Sequence, residues 1–463
     1  MSVRQWSRLP AAPAVGLPRP ATDAPAAGTS RLVERFILFQ IACQLALILP
    51  IGGGRTLVRI ASLGASLALL ALVRGRGPVH PSRAPAMLVL GIVTLSILHP
   101  TSNTLLAAAA QAGMYLAILA PLFWVTRLRL DPATLRRSLL ILWAFHSVSA
   151  LAGVLQVYFP GSFQPNVSPV ILAQGPGYVE SLKIVTPSGV RVFRPMGLTD
   201  IPGGAGSAGF YAVLLGMGFF LAGRHRAITL LSGVTMLVGM TALYLSQVRA
   251  LMAMALIGIM AVGGFLLVRR DVARAGALGA VLLLVLVAGY RGAVSMGGGN
   301  IAQRVATLTG AAPGQVYYSN RGHFLQQTVE ELLPQYPFGA GMGRWGMMYG
   351  YFGDGSDPST AQIHAEIQWT GWLLDGGVPL ILAYLATLLL ALRTTLRIAW
   401  SPPPRGGEEL RFWAAVLSAH GVGALALTFS YPIFLSQMGM EFWLLNTALF
   451  TTAYSRLYPA RPG

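Results

Sequence analysis

The chain has 463 residues, of which 54% are apolar and only 10% charged, and its net charge is +18. A soluble domain of this length needs no such apolar share, so a soluble enzyme or binding module is excluded, and the lone cysteine, Cys43, excludes disulfides, thiolate metal clusters and a paired redox centre. In a soluble protein the positive charge would point to nucleic acid; here it lies in the links between apolar runs, and no nucleic-acid partner is expected.

The first 35 residues are rich in Pro and Ala with scattered Arg, and are expected to form a disordered cytoplasmic tail, not a cleaved signal. Twelve apolar runs follow, compared with the roughly 20 residues that cross ~30 Å of hydrocarbon. They lie at about 36–53, 56–73, 85–99, 104–125, 138–159, 205–223, 227–246, 250–268, 274–290, 377–396, 411–430 and 438–455. The predicted fold is all-α, a polytopic transmembrane helical bundle of about 12 spans. Residues 36–290 hold spans one to nine and a long loop at 160–204; 291–376 form a large polar loop; 377–463 hold spans ten to twelve. Assigning the links alternately to two sides places 23 of the 33 basic residues with the termini and ten on the other side. Basic links stay cytoplasmic, so both termini are expected inside and the two long loops outside.

No internal repeat is visible, and the two halves lack the matched Gly/Pro-broken helices of an inverted-repeat carrier. In the first long loop Pro160, Pro165, Pro169, Pro176 and Pro187 interrupt any regular element. In the second, Ser319 to Leu333 reads as a helix from the spacing of Phe324, Val329, Leu332 and Leu333, with Pro334 limiting its end. The Gly-rich turn Gly339-Ala340-Gly341-Met342-Gly343 follows. Beyond a polar tip from Asp354 to Thr360, Ala361 to Leu374 again reads as a helix, and Gly376 and Gly377 pivot into the tenth span.

Arginine at membrane depth is costly, so Arg249, between the eighth span and its predecessor, either snorkels to head groups or clamps a phosphate with its planar fork. Arg321 opens the predicted loop helix, where an anion could meet its side chain and the helix amides; its bland alternative is an ion pair with Glu330 or Glu331. Arg194 and Arg191 end the first long loop just before span six, where juxtamembrane arginines are common. Arg344 follows the Gly-rich turn, and Asp375 precedes the glycine pivot. His364, beside Glu366, is either an idle surface histidine or a proton acceptor for a hydroxyl, with His323 a competitor. Trp345, Trp369 and Trp372 suit stacking on sugars or an interfacial belt equally. No HExxH occurs, Asp354 and Asp357 read as turn chemistry, and no metal site is expected.

The order of these pieces resembles the O-antigen ligase and polymerase superfamily. The resemblance rests on Arg249 at a hairpin, Arg321-Gly322 opening a loop helix, Pro337-Phe338-Gly339-Ala340-Gly341, then His364, then Asp375-Gly376-Gly377. Arg194-Pro195-Met196-Gly197 with Ile201-Pro202 resembles a further motif of that family, and the whole covers roughly residues 190–390. Ala365 and Gly203 stand where the family has Asn, and Asp375 where it has Glu.

The resemblance implies a GT-C-like enzyme of the bacterial inner membrane. It would transfer a glycan from undecaprenyl pyrophosphate to an acceptor hydroxyl, without metal or other cofactor. Arg249 and Arg321 would bind the pyrophosphate, His364 would activate the acceptor, and Arg194 would assist; Arg191, Arg344 and Asp375 are further substrate-binding candidates. The altered Asn positions lean towards an O-antigen or exopolysaccharide repeat-unit polymerase over a ligase to the lipid A core. Expected partners are the lipid-linked donor, a glycan or lipid A-core acceptor, membrane lipids and a chain-length regulator or flippase. The rival from another class is a polysaccharide transporter or flippase.

Overall fold

A computed structural model describes residues 31–454 apart from 50, 53, 173–174, 224, 310–312 and 402–406; of the tail expected over 1–35, residues 1–30 lie outside the described residues and 32–35 are helical. Each of the twelve apolar runs falls on a helix. The first nine are α1 (Leu32–Ala46), α2 (Gly54–Leu72), α3 (Arg83–Ser96), α4 (Leu105–Leu119), α5 (Pro132–Tyr158), α6 (Ala205–Ala222), α7 (Arg226–Ser246), α8 (Arg249–Val268) and α9 (Val272–Gly297). In the large loop come α10 (Gly299–Thr309), α11 (a helical run over 313–335) and α12 (Gly346–Phe352), and the chain closes with α13 (Gln368–Trp400), α14 (Gly407–Leu427) and α15 (Gln437–Tyr454). Among the described residues nine of these helices are long and apolar enough to cross a membrane, α4 with its helical continuation to Arg127, which marks a multi-pass membrane protein. The exceptions among the twelve are α1 and α3, with 15 and 14 residues, and α15, whose Gln437, Glu441 and Asn446 dilute its apolar character.

Helix starts follow local chemistry. The Thr104 hydroxyl accepts from the Ala107 amide at the head of α4, and the Asp131 carboxylate accepts from the Thr134 amide at the head of α5, where Pro132 takes the first helical position. Helix α6 is the hub, packed against α5, α7, α8 and α14, and nearly all of it is buried. Small residues allow this approach: a Cβ on Gly209 would lie 2.3 Å from the Gly239 carbonyl of α7. In contrast α2 keeps most of its surface outside the bundle core.

At one end of the bundle the two long loops pack together. Strands β1 (Lys183–Val185) and β2 (Arg191–Phe193) form an antiparallel hairpin, with Ile184 opposite Val192. Its buried side joins Val157 of α5 and Ile301 of α10 in a small apolar cluster. The predicted helix at Ser319 to Leu333 forms and extends in both directions, with wide π-type turns at Tyr318–Gly322 and Thr328–Leu332. The predicted helix at Ala361 to Leu374 is only half right: residues 361–366 are not helical and α13 starts at Gln368. The reason lies in Arg344. Its guanidinium takes the Ala361 carbonyl at 3.1 Å and its own carbonyl accepts from the Ile363 amide at 2.8 Å, so these backbone groups are spent on a tertiary link.

Gly376 and Gly377 break α13, as the pivot reading expects, and the freed backbone groups serve the Gly-rich turn. The Ala340 amide donates to the Leu374 carbonyl at 2.8 Å and the Val378 amide to the Pro337 carbonyl at 2.9 Å. Gly377 has φ +67° and a Cβ there would lie 2.2 Å from the Pro337 carbonyl oxygen. Gly377→Ala should therefore destabilise by about 2–4 kcal/mol, combining left-handed strain with a backbone collision. Thermal unfolding of the detergent-solubilised protein tests this, and an unchanged midpoint would refute it.

Candidate functional site

A cavity of about 890 Å³ opens at the end that carries the two long loops and runs down between α1, α2, α5, α6 and α15. Five arginines from separate parts of the chain line it: Arg59, Arg194, Arg249, Arg304 and Arg321. The lining holds two carboxylates, Asp200 and Glu441. Leucines and methionines such as Leu63, Met114, Leu251 and Met438 make much of the remaining wall.

Each arginine is placed by a distinct local device. Gln247 sits at φ 55°, ending α7 in a left-handed turn, so Arg249 becomes the first residue of α8. Its Nη2 donates to Oδ1 of Asn320 in the first π-turn of α11. Arg321, one residue on in that same turn, pairs through Nη1 with Glu366 and lies 5.9 Å from the Phe324 ring centroid. Arg194 follows β2 and donates from Nη2 to the Ser181 carbonyl at 2.9 Å, while its buried Nε has no hydrogen-bond partner in the protein. Arg59 projects from α2 and is gripped at 2.8 Å by Asp200, which also takes Arg55 at 2.6 Å, and its Nη1 donates to the Tyr351 hydroxyl at 2.9 Å.

Within the cluster the arginines also act on one another. Burial holds the Arg194 guanidinium below its usual range; Tyr178 acts in the opposite sense and the positive charge of Arg249 adds to the lowering. Burial, then the charge of Arg194, lowers Arg304 in the same way. Guanidinium groups remain protonated regardless, so an anion among them would lower their mutual repulsion. Planar forks converging from several directions suit a phosphate or diphosphate better than a single carboxylate.

The structure thus brings Arg249, Arg321 and Arg194 of the sequence-predicted set into one cavity. His364 stands at the rim, exposed, and does not line it. Its Nε2 lies 3.2 Å from Glu366, the same carboxylate that holds Arg321. Arg191 is exposed and bonds Glu180 at 3.0 Å. Arg344 is buried and spends its guanidinium on the Ala340 and Ala361 carbonyls. Asp375 is fully buried away from the cavity, where it accepts from Tyr115 OH at 2.8 Å, Trp345 Nε1 at 2.9 Å and Gln111 Nε2 at 3.0 Å.

Arg59 and Asp200 escaped the sequence reading, and Arg304, though conspicuous in the large polar loop, drew no role from it. Arg59 had a usable signal, since a cation inside the second apolar run demands a partner. The same signal marks His146 and Glu441, which lie inside apolar runs and form part of the cavity floor. Among the described residues no group of three or more His, Cys, Asp or Glu could hold a metal ion. No known family matches this chain, and no curated protein matches its sequence.

Proposed function

We propose that this protein is a metal-independent glycosyltransferase of the inner membrane, related to the O-antigen ligase and polymerase superfamily, with twelve spans and a GT-C-like architecture. Its donor is a glycan on undecaprenyl pyrophosphate and its acceptor a hydroxyl of a second glycan. The carrying observation is the convergence of Arg59, Arg194, Arg249, Arg304 and Arg321 on one apolar-walled cavity. An acidic head group attached to a lipid calls for that combination, and the volume lies within the roughly 300–1,000 Å³ usual for ligand sites. The bias of basic residues towards the links on the terminal side supports a cavity opening outward.

In this reading the acceptor oxygen attacks the anomeric carbon as the bond from that carbon to the phosphate oxygen breaks. The pyrophosphate leaves carrying its electron pair, and the arginine forks stabilise the charge that develops. The acceptor proton passes to His364, whose imidazole stands beside Glu366 and through it beside Arg321. His364→Ala should lower kcat about a hundredfold and leave KM for the donor nearly unchanged. Wild-type turnover in that variant would remove His364 from the reaction.

The direct test is transfer of labelled glycan from lipid-linked donor by the purified protein in lipid, and absence of transfer with every acceptor tried would sink the reading. Deletion then separates the branches. Single repeats on lipopolysaccharide mean a polymerase, lipid-linked polymer with bare core means a ligase, and loss of secreted polysaccharide means an exopolysaccharide polymerase. The carrier reading draws on one observation, the burial of His146 and Glu441 between helices, where ionisable groups often mark a translocation path. Flipping of lipid-linked glycan in proteoliposomes, without transfer, would favour it.

A further inference from the structure

The floor of the cavity differs in chemistry from its arginine-lined mouth. Glu441, four residues into α15, His146, midway along α5, and Tyr211 of α6 meet there, joined by Gln437 and Gln44. Glu441 accepts from Gln437 Nε2 at 3.2 Å, and Gln437 also reaches Gln44 Oε1 at 3.4 Å. The imidazole of His146 stacks on Tyr211 with ring centroids 4.6 Å apart. Its Nε2 is 3.8 Å from the second Glu441 oxygen, too long for a hydrogen bond, and this buried nitrogen has no partner in the protein. Tyr211 OH is 3.5 Å from His420 Nε2, a contact at the limit of hydrogen bonding.

A buried polar set with unspent capacity is costly unless something completes it. The identity of that ligand follows from the groups present. Among the described residues the floor holds no arginine or lysine to take a phosphate, and Arg59, Arg194, Arg249, Arg304 and Arg321 line the mouth instead. A metal ion finds no trio of anionic or imidazole ligands among the described residues. A carboxylate, an imidazole, two amides and a phenol beside aromatic faces offer donors and acceptors mixed at close quarters, which suits a neutral ring bearing several hydroxyls. We propose that the floor formed by Glu441, His146, Tyr211 and Gln437 is a sugar subsite, holding the hydroxyls of the ring attached to the diphosphate. This rests on the reading of the cavity as the seat of a lipid-linked glycan, and adds that the donor is recognised by its first sugar as well as by its phosphates.

The test uses the full chain in lipid nanodiscs and two probes, a polyprenyl diphosphate and the same lipid carrying one hexose. The wild type should bind the hexose-bearing lipid about tenfold tighter than the bare one, the scale of one or two hydrogen bonds to a charged group. Glu441→Ala and the size-matched Glu441→Gln should bring the two affinities within about twofold of each other. Both variants should leave binding of the bare lipid unchanged, which also certifies their fold. Arg249→Ala should weaken both probes alike. A hexose preference that survives in both Glu441 variants, or a parallel loss of both probes in them, overturns the sugar subsite while leaving the diphosphate reading standing. A wild type that binds neither probe overturns both.

Discussion

Transfer from the lipid-linked donor should fall by about two to three orders of magnitude in Arg249→Ala, the scale set by removing one preorganised donor from a developing oxyanion. The geometry makes Arg249 the sharpest choice. It heads α8, its guanidinium is steadied by Asn320, and that contact joins the α7–α8 hairpin to the loop helix bearing Arg321. Arg249→Lys keeps the charge but loses the planar fork, and should recover only part of the rate. Arg321→Ala should lose a similar factor, and the double variant less than the product of the two, because both forks act on one leaving group. The measurement is kcat with labelled donor at matched protein level in the membrane. Full activity in Arg249→Ala at normal abundance would falsify its assignment to the pyrophosphate.

Asp375→Ala should cost stability, on the order of 3–5 kcal/mol, before it costs chemistry. Asp375 accepts three hydrogen bonds from Gln111, Tyr115 and Trp345 while wholly buried, so its loss strands three donors and opens a hole at the break in α13. Asp375→Asn retains shape and one acceptor oxygen and should cost about 1–3 kcal/mol. The readouts are the unfolding midpoint in detergent and abundance in membranes. A variant that folds normally yet fails to bind donor would instead make Asp375 a substrate contact.

Much of the architecture is legible in the chain because a bilayer constrains sequence strongly: all twelve apolar runs lie on helices, and the pivot at Gly376-Gly377 is a real break. Arg249 and Arg194 could be singled out because an arginine next to an apolar run is conspicuous, and Arg321 because it opens a helix in the polar loop. What spacing could not show is which loop residues exhaust their backbone on distant partners. Residues 361–366 carry a helical pattern, yet Arg344 claims the Ala361 carbonyl and the Ile363 amide, so His364 lies in a non-helical rim. Arg59 and Asp200 were hidden for a related reason, since 141 positions separate partners that meet at 2.8 Å. Glu441, His146 and Tyr211 come from three separate helices, and only packing makes them neighbours.

The carboxylates around the mouth carry one more implication. Asp200 holds Arg59 together with Arg55, and Glu366 holds Arg321, so two of the five cavity arginines have counter-ions supplied by the chain itself. If the proposed acidic head group enters the cavity, it competes with Asp200 for Arg59 and with Glu366 for Arg321, so that binding is an ion exchange at these two arginines. These carboxylates belong to the segment leading into α6 and to the rim that bears His364. On that reading, occupancy of the cavity would change what holds both of these segments in place.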